Sequence, residues 1–139
     1  MHEFALADAV MRATLRTAEA EDLTVVTKIV VRVGELQRIE RELFAFALKE
    51  TRPPDEPRIA SAEVVVEIER ARFVCRACRH AFALDEAAGE RDAEANEAIH
   101  FVPELAHAFL RCPSCGSPDF AVRAGRGVSI VSIEGDRDG

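Results

Sequence analysis

The sequence of 139 residues contains no Trp and no Tyr, so its eight Phe residues supply all the aromatic packing. It also lacks any apolar run of the roughly 20 residues that a transmembrane helix requires. It does not begin with the basic and apolar segments of a secretory signal. From these absences we expect no membrane partner, and the cytosol is the simplest compartment.

Positive charge is scarce relative to negative charge. The chain has 18 Lys and Arg residues against 25 Asp and Glu residues, a formal net charge of −7 at pH 7. Most of such a surface repels a phosphate backbone, so the sequence predicts no nucleic-acid partner. The hydrophobic content of 48% is sufficient for the core of one domain, or of one domain that carries a smaller one.

Cysteine is limited to two CxxC pairs, Cys75 with Cys78 and Cys112 with Cys115. In a reducing cytosol such pairs are more often metal ligands than disulfides. Four thiolates at this spacing predict a closed, tetrahedral Zn²⁺ site that leaves no position for water, which makes the zinc structural and not catalytic. A rubredoxin-like iron site is one alternative, and disulfides or free thiols are another.

Hydrophobic periodicity predicts an α+β fold in which two helices pack on a three-stranded sheet. We expect residues 1–70 plus 127–139 to form this domain and residues 71–126 to form an inserted, zinc-ribbon-like domain. In the insertion, three phenylalanines flank the cysteine pairs and are expected to cover the metal. The predicted elements are a helix from Phe4 to about Ala20, a strand over Val25–Gly34, a helix with the apolar stripe Ile39, Leu43, Phe46 and Ala47, a strand over Glu63–Glu69 with Val64, Val66 and Ile68 facing inward, and a strand over Gly127–Glu134; the three phenylalanines are Phe73, Phe82 and Phe120.

The first three residues, Met1, His2 and Glu3, offer a second kind of metal site. The Met1 amine, the His2 amide nitrogen once deprotonated and the His2 ring nitrogen can all reach one ion, and three nitrogens near one plane suit Ni(II) or Cu(II). Taken alone, His2 can also follow Met1 by chance. A further histidine, His100, lies between apolar residues before a proline and is by itself either a packed or surface side chain or a ligand.

Taken together, these features resemble the HypA family of nickel metallochaperones, which serve the maturation of [NiFe]-hydrogenase and, in some bacteria, urease. The resemblance runs nearly from end to end. It is carried by Met1-His2-Glu3 entering a helix, by Val33-Gly34-Glu35-Leu36 after the first strand, by both CxxC pairs, and by Gly125-Arg126-Gly127-Val128 at the last strand. The long spacer between the pairs, with Ile99-His100-Phe101, resembles the variant of archaeal members.

The resemblance implies that Met1, His2 and Glu3 bind nickel, with His100 as an additional ligand, and that Cys75, Cys78, Cys112 and Cys115 hold zinc. It implies a HypB-type GTPase and the precursor of the [NiFe]-hydrogenase large subunit as partners, and residues 1–70 plus 127–139 as the nickel-binding domain. The alternatives are a zinc-ribbon adaptor or regulatory protein with no nickel role and a rubredoxin-like electron carrier. An enzyme is not expected, since no nucleophile is paired with a base and the zinc has no open position.

Overall fold

The computed structural model describes residues 2–89 and 92–137. Met1 therefore lies outside the described residues, as does the side chain of His2, although the backbone of His2 is described. In chain order the helices are α1 (His2–Ala20), α2 (Arg41–Thr51), α3 (Ala93–Phe101) and α4 (Ala106–Phe109), and the strands are β1 (Leu23–Gly34), β2 (Glu63–Glu69), β3 (Arg72–Cys75), β4 (Ala81–Ala83), β5 (Ala88–Gly89), β6 (Leu110–Arg111), β7 (Phe120–Ala124) and β8 (Val128–Arg137).

The chain divides into two compact units. The first, here called the helical unit, contains residues 2–32, 39–67 and 128–137 of the described chain. The second, here called the cysteine unit, contains residues 33–38, 68–89 and 92–127. The functional labels given to residues 1–70 with 127–139 and to residues 71–126 stay predictions.

The helical unit combines α1 and α2 with a three-stranded sheet in the order β2-β1-β8. The two helices pack against each other, and the ring of Phe4 on α1 meets the ring of Phe46 on α2 edge to face, with centroids 6.3 Å apart. Helix α1 also packs against β8. The predicted α+β class, with a three-stranded sheet, is confirmed.

The spacing of apolar residues by three and four predicts one buried stripe on α1, formed by Phe4, Ala7, Met11, Leu15 and Ala18. Phe4 and Leu15 are half-buried. Ala7, Met11 and Ala18 are fully or almost fully buried, and Val10 joins them. Thr14 is the one polar residue buried among them, and its hydroxyl donates to the Val10 carbonyl at 2.8 Å, which satisfies it inside the helix. In β1, the alternating pattern predicts that Ile29, Val31 and Val33 share one inward face, and this is confirmed because all three are buried.

The predicted stripe of α2 is wrong in part. Ala47 is buried, but Leu43 and Phe46 are 41% and 53% exposed, and the helix instead buries Phe44 and Leu48. The reason is that residues 43 to 48 are apolar on every side of the helix, so periodicity did not distinguish the two faces. The inward assignment of Ile68 on β2 is likewise wrong, since this side chain is 40% exposed although Val66 is buried.

The cysteine unit is built on an antiparallel sheet in the order β4-β3-β7, and β5 pairs antiparallel with β6. Residues 84–111, between β4 and the second cysteine pair, include α3, whose N-cap Asp92 accepts a hydrogen bond from the Ala95 backbone at 2.9 Å.

The core of the cysteine unit is one cluster of buried residues, which includes residues of the sheet, of α3 and of the turn after β1. The cluster contains Leu36, Ala71, Phe73, Cys75, Phe82, Leu84, Ala87, Ile99, Ala106, Leu110, Cys112 and Phe120.

Gly34 packs backbone against backbone in this unit. A Cβ atom at Gly34 would lie 2.3 Å from the carbonyl carbon and oxygen of Gly125. The close approach is held by hydrogen bonds from the Gly34 amide to the Gly127 carbonyl at 2.7 Å and from the Leu36 amide to the Gly125 carbonyl at 2.9 Å. Gly34 has an ordinary extended conformation, with φ −67°, so space alone requires glycine at this position.

We therefore expect Gly34→Ala to lower the free energy of unfolding by about 3 kcal/mol, the upper part of the range for overpacking, because backbone atoms yield less than side chains. Urea denaturation followed by circular dichroism measures this. The control is Gly116→Ala, where an added Cβ meets nothing within 4 Å and only the φ of +78° is strained, at a cost of about 1 kcal/mol. Equal losses in the two variants would contradict the steric explanation.

Among the helices of residues 2–89 and 92–137, none combines the length and the apolar character needed to cross a bilayer.

Candidate metal centres

The four cysteine sulfur atoms converge in the cysteine unit and all lie within 4.8 Å of one another. Two separations of 3.6 Å join Cys75 to Cys115 and Cys78 to Cys112, so each links one CxxC pair to the other. A Zn–S distance of about 2.3 Å gives a sulfur–sulfur edge of about 3.8 Å in a regular tetrahedron. The arrangement fits a zinc ion held by four thiolates.

The two CxxC segments share one local geometry. The Cys75 amide donates to the His80 carbonyl and the Arg79 amide to the Cys75 carbonyl, both at 2.9 Å. The second segment repeats this pattern at the same distances, since the Cys112 amide donates to the Ser117 carbonyl and the Gly116 amide donates to the Cys112 carbonyl. Both turns need one residue with positive φ, which is Gly116 at +78° and Arg79 at +66°. The repeated turn directs both sulfurs of each pair to one point.

The thiols of this cluster differ in acidity. The backbone N–H of Cys78, 3.5 Å from the Cys75 sulfur, is the main cause that lowers the pKa of Cys75 to about 7, although burial opposes it. The backbone N–H of Ser117 lowers the pKa of Cys115, but the contact with Cys75 and burial outweigh it and raise this pKa to about 12. Adjacent thiols do not all ionise without a cation among them, and a dication supplies the charge that lets them do so.

The three phenylalanines that were predicted to cover the metal belong to the same buried cluster as Cys75 and Cys112. Phe73, Phe82 and Phe120 are buried and pack ring against ring, with centroids 5.1 to 5.7 Å apart. Two exposed histidines extend this stack. His80 lies parallel to Phe82, and His107 stacks on Phe120 with centroids 4.3 Å apart while its Nδ1 contacts the Pro118 carbonyl at 3.2 Å.

The predicted N-terminal ligands are only partly described. α1 begins at His2, and Glu3 is a half-buried residue of its first turn. The amide N–H groups in the first turn of an α-helix have no acceptor within the helix. The backbone nitrogen of His2 is therefore not committed to a helical hydrogen bond, and the positive end of the helix dipole favours the negative charge that a deprotonated amide carries.

The other predicted nickel ligand, His100, lies at the C-terminal end of α3 and is half-buried. Its Nδ1 contacts the backbone carbonyl of Gln37, and its ring meets Phe101 edge to face. Both Gln37 and His100 belong to the cysteine unit. The contact between His100 and the Gln37 carbonyl was not predicted from the sequence, since a backbone carbonyl is present in every residue and gives no signal in the residue type.

Comparison with known proteins places this arrangement in a family. The family model described as "Hydrogenase/urease nickel incorporation, metallochaperone, hypA" matches residues 1–135. The chain belongs to the HypA family. The resemblance inferred from the motifs is thereby confirmed, and nickel and zinc are the metals that the family description and the four-cysteine cluster indicate.

Individual HypA proteins match over nearly the whole chain. The hydrogenase maturation factor HypA of Pyrococcus furiosus is 44% identical over 140 residues, covering 100% of this chain and 99% of the relative. That of Pyrococcus abyssi is 43% identical, covering 99% and 98%. The solution structure of the Ni metallochaperone HypA from Helicobacter pylori superimposes with a TM-score of 0.62 at 16% identity, covering 98% of each chain, and so shows the shared fold.

Proposed function

We propose that this protein is a nickel metallochaperone of hydrogenase maturation. It carries Ni(II) at the start of α1 and delivers it to the precursor of the [NiFe]-hydrogenase large subunit, together with a HypB-type GTPase. The observation that supports this most strongly is the family match over residues 1–135, which includes both the N-terminal residues and both cysteine pairs. The proposed compartment is the cytosol, where thiols are kept reduced for metal binding.

The proposed nickel ligands are the Met1 amine, the His2 amide and ring nitrogens, and Glu3, with the imidazole of His100 as an addition. Nickel is cargo, so the site has to be both selective and accessible. Nitrogens near one plane select Ni(II) or Cu(II) over Zn²⁺, which prefers a tetrahedral site. A position at the end of the chain leaves the ion accessible to an acceptor, and the uncommitted His2 amide allows coordination without the loss of a helical hydrogen bond.

The proposed zinc ligands, Cys75, Cys78, Cys112 and Cys115, have a different role. Bound zinc would join two segments that are separated by the 33 residues from 79 to 111. It would thereby hold β3 and β7 of the cysteine unit in place. Four protein ligands leave no position for a substrate, so the proposed role of this centre is structural and the protein is not proposed to be an enzyme.

Metal analysis of the protein without any tag tests the proposed division between the two metals. We expect one zinc per chain, retained through dialysis, and one further nickel after nickel is added, which a competing chelator removes while the zinc stays. The protein has to be untagged, because an extension displaces the Met1 amine and a histidine tag binds nickel itself. Nickel that replaced zinc one for one would refute the proposal.

A further inference from the structure

The turn that follows β1 is fixed on several sides within the cysteine unit. It is a single 3-10 turn, Glu35–Gln37, followed by Arg38 with a left-handed φ of 53°. The Glu35 carboxylate accepts a hydrogen bond from the Ala71 amide at 2.8 Å. The side-chain oxygen of Gln37 accepts one from the Gly127 amide at 3.1 Å. Side chains at both ends of the turn thus tie it to backbone elsewhere in the unit.

The Gln37 residue also uses its backbone, since its carbonyl oxygen contacts Nδ1 of His100. A carbonyl oxygen only accepts hydrogen bonds, so the proton in this contact belongs to Nδ1. A neutral imidazole carries one proton, and therefore Nε2 is the nitrogen with the lone pair. Histidine ligands of metals are commonly oriented in this manner, by a second contact that sets which ring nitrogen binds.

The His100 end of the contact is fixed as well. Its neighbour Ile99 is 2% exposed in the core of the unit, and α3 is capped at its start by Asp92. The backbone of His100 is therefore held by packing, while its ring is held by Gln37. Gln37 in turn is held through Gly127, whose amide N–H is the donor to the Gln37 side chain.

We propose that Gln37 is a positioning residue for His100. Its carbonyl keeps the ring in the Nδ1–H tautomer, so that Nε2 carries the lone pair that can coordinate nickel, and its side-chain amide keeps that carbonyl in place. The tautomer is inferred from the contact with Gln37 and does not depend on the proposed function, whereas the role of Nε2 as a nickel ligand rests on the proposed function. The two parts are tested by separate measurements on the same protein.

The tautomer is read by long-range proton–nitrogen NMR correlation on zinc-loaded protein labelled with ¹⁵N-histidine near pH 8. The chain has four histidines, and the spectrum of His100→Ala assigns the signals of this one. We expect a protonated Nδ1 and an unprotonated Nε2 in the natural protein. A proton on Nε2 would overturn the proposal whatever the behaviour of nickel.

Two substitutions at Gln37 test the positioning. Gln37→Glu keeps an oxygen that can accept from Gly127, so we expect the Nδ1–H tautomer and a nickel affinity within about threefold of the natural protein. Gln37→Ala removes that acceptor, and we expect a mixture of tautomers and a nickel affinity lower by about 10- to 100-fold, as for other residues that orient metal ligands. Zinc content and circular dichroism show whether each variant is folded. If Gln37→Ala does not fold, the NMR spectrum of the natural protein still tests the proposed tautomer.

The double variant separates positioning from a general structural effect. If Gln37 acts through His100, then Gln37→Ala causes no further loss of nickel affinity in a His100→Ala background. An undiminished further loss there would overturn the proposed route. If the tautomer is as expected but no variant changes nickel binding, the contact stands and the ligand role of His100 falls. Absence of nickel binding in the natural protein would instead refute the proposed function.

Discussion

Replacing Cys75 by serine is expected to abolish zinc binding and to unfold the cysteine unit. The free energy of binding of a structural zinc is about 10 to 16 kcal/mol in small zinc modules, and most of it is folding free energy. The sulfur of Cys75 is one of four that lie within 4.8 Å of one another, and the residue is fully buried. A serine hydroxyl is a poor zinc ligand there and has to be buried beside Phe73 and Phe120 as well.

The measurement is zinc content together with amide hydrogen exchange, since the absence of Trp and Tyr rules out the usual fluorescence assay. Protection should be lost in β3, β7 and α3, whereas α1 and β1 should retain it up to Arg32. Ser114→Ala is the matched control. It lies between Cys112 and Cys115, and its backbone amide, which the substitution keeps, donates to the Cys112 sulfur at 3.4 Å. The zinc content and the amide protection of this variant should therefore be unchanged. Full zinc occupancy in Cys75→Ser would contradict the four-thiolate site.

Replacing His2 by alanine is expected to reduce nickel affinity by about three orders of magnitude or more. This estimate exceeds the 10- to 100-fold loss for residues that only orient a ligand, because a ligand itself is removed. Zinc content should not change, since the cysteines lie in the other unit. Calorimetric titration of untagged, zinc-loaded protein with Ni(II) measures the affinity. His80→Ala removes an exposed imidazole that is not among the proposed ligands and should bind nickel as the natural protein does.

An independent variant carries one glycine before Met1, which keeps every side chain but moves the amine away from the His2 ring. We expect a loss similar to that of His2→Ala. Affinity in the natural protein should also fall as pH is lowered, because the amine and the amide have to lose protons to bind. Unchanged affinity in both His2→Ala and the extended protein would show that nickel is held elsewhere in the chain.

Local patterns predicted those parts of this protein that depend on neighbours in sequence. Three of the five residues in the predicted α1 stripe are buried, and the other two are half-buried. The alternation of Ile29, Val31 and Val33 in β1 is confirmed, because a strand with one apolar face has one way to bury it. The spacing of the cysteines also predicted the sulfur cluster, since two residues between thiols suffice to direct both sulfurs to one ion. The ligands at Met1 and His2 stay predictions.

Contacts between distant segments had no such local signal. In α2, the choice between Phe44 and Phe46 depended on which side of an apolar helix packs against its neighbours. Sulfur contacts of 3.6 Å join Cys75 to Cys115 and Cys78 to Cys112, across the two segments. The contact of His100 with Gln37 spans 63 positions. The sequence thus determined which side chains are able to bind metal, whereas tertiary structure decided that the four cysteine sulfurs meet and that His100 contacts the Gln37 carbonyl, because packing and backbone hydrogen bonds depend on groups far apart in the chain.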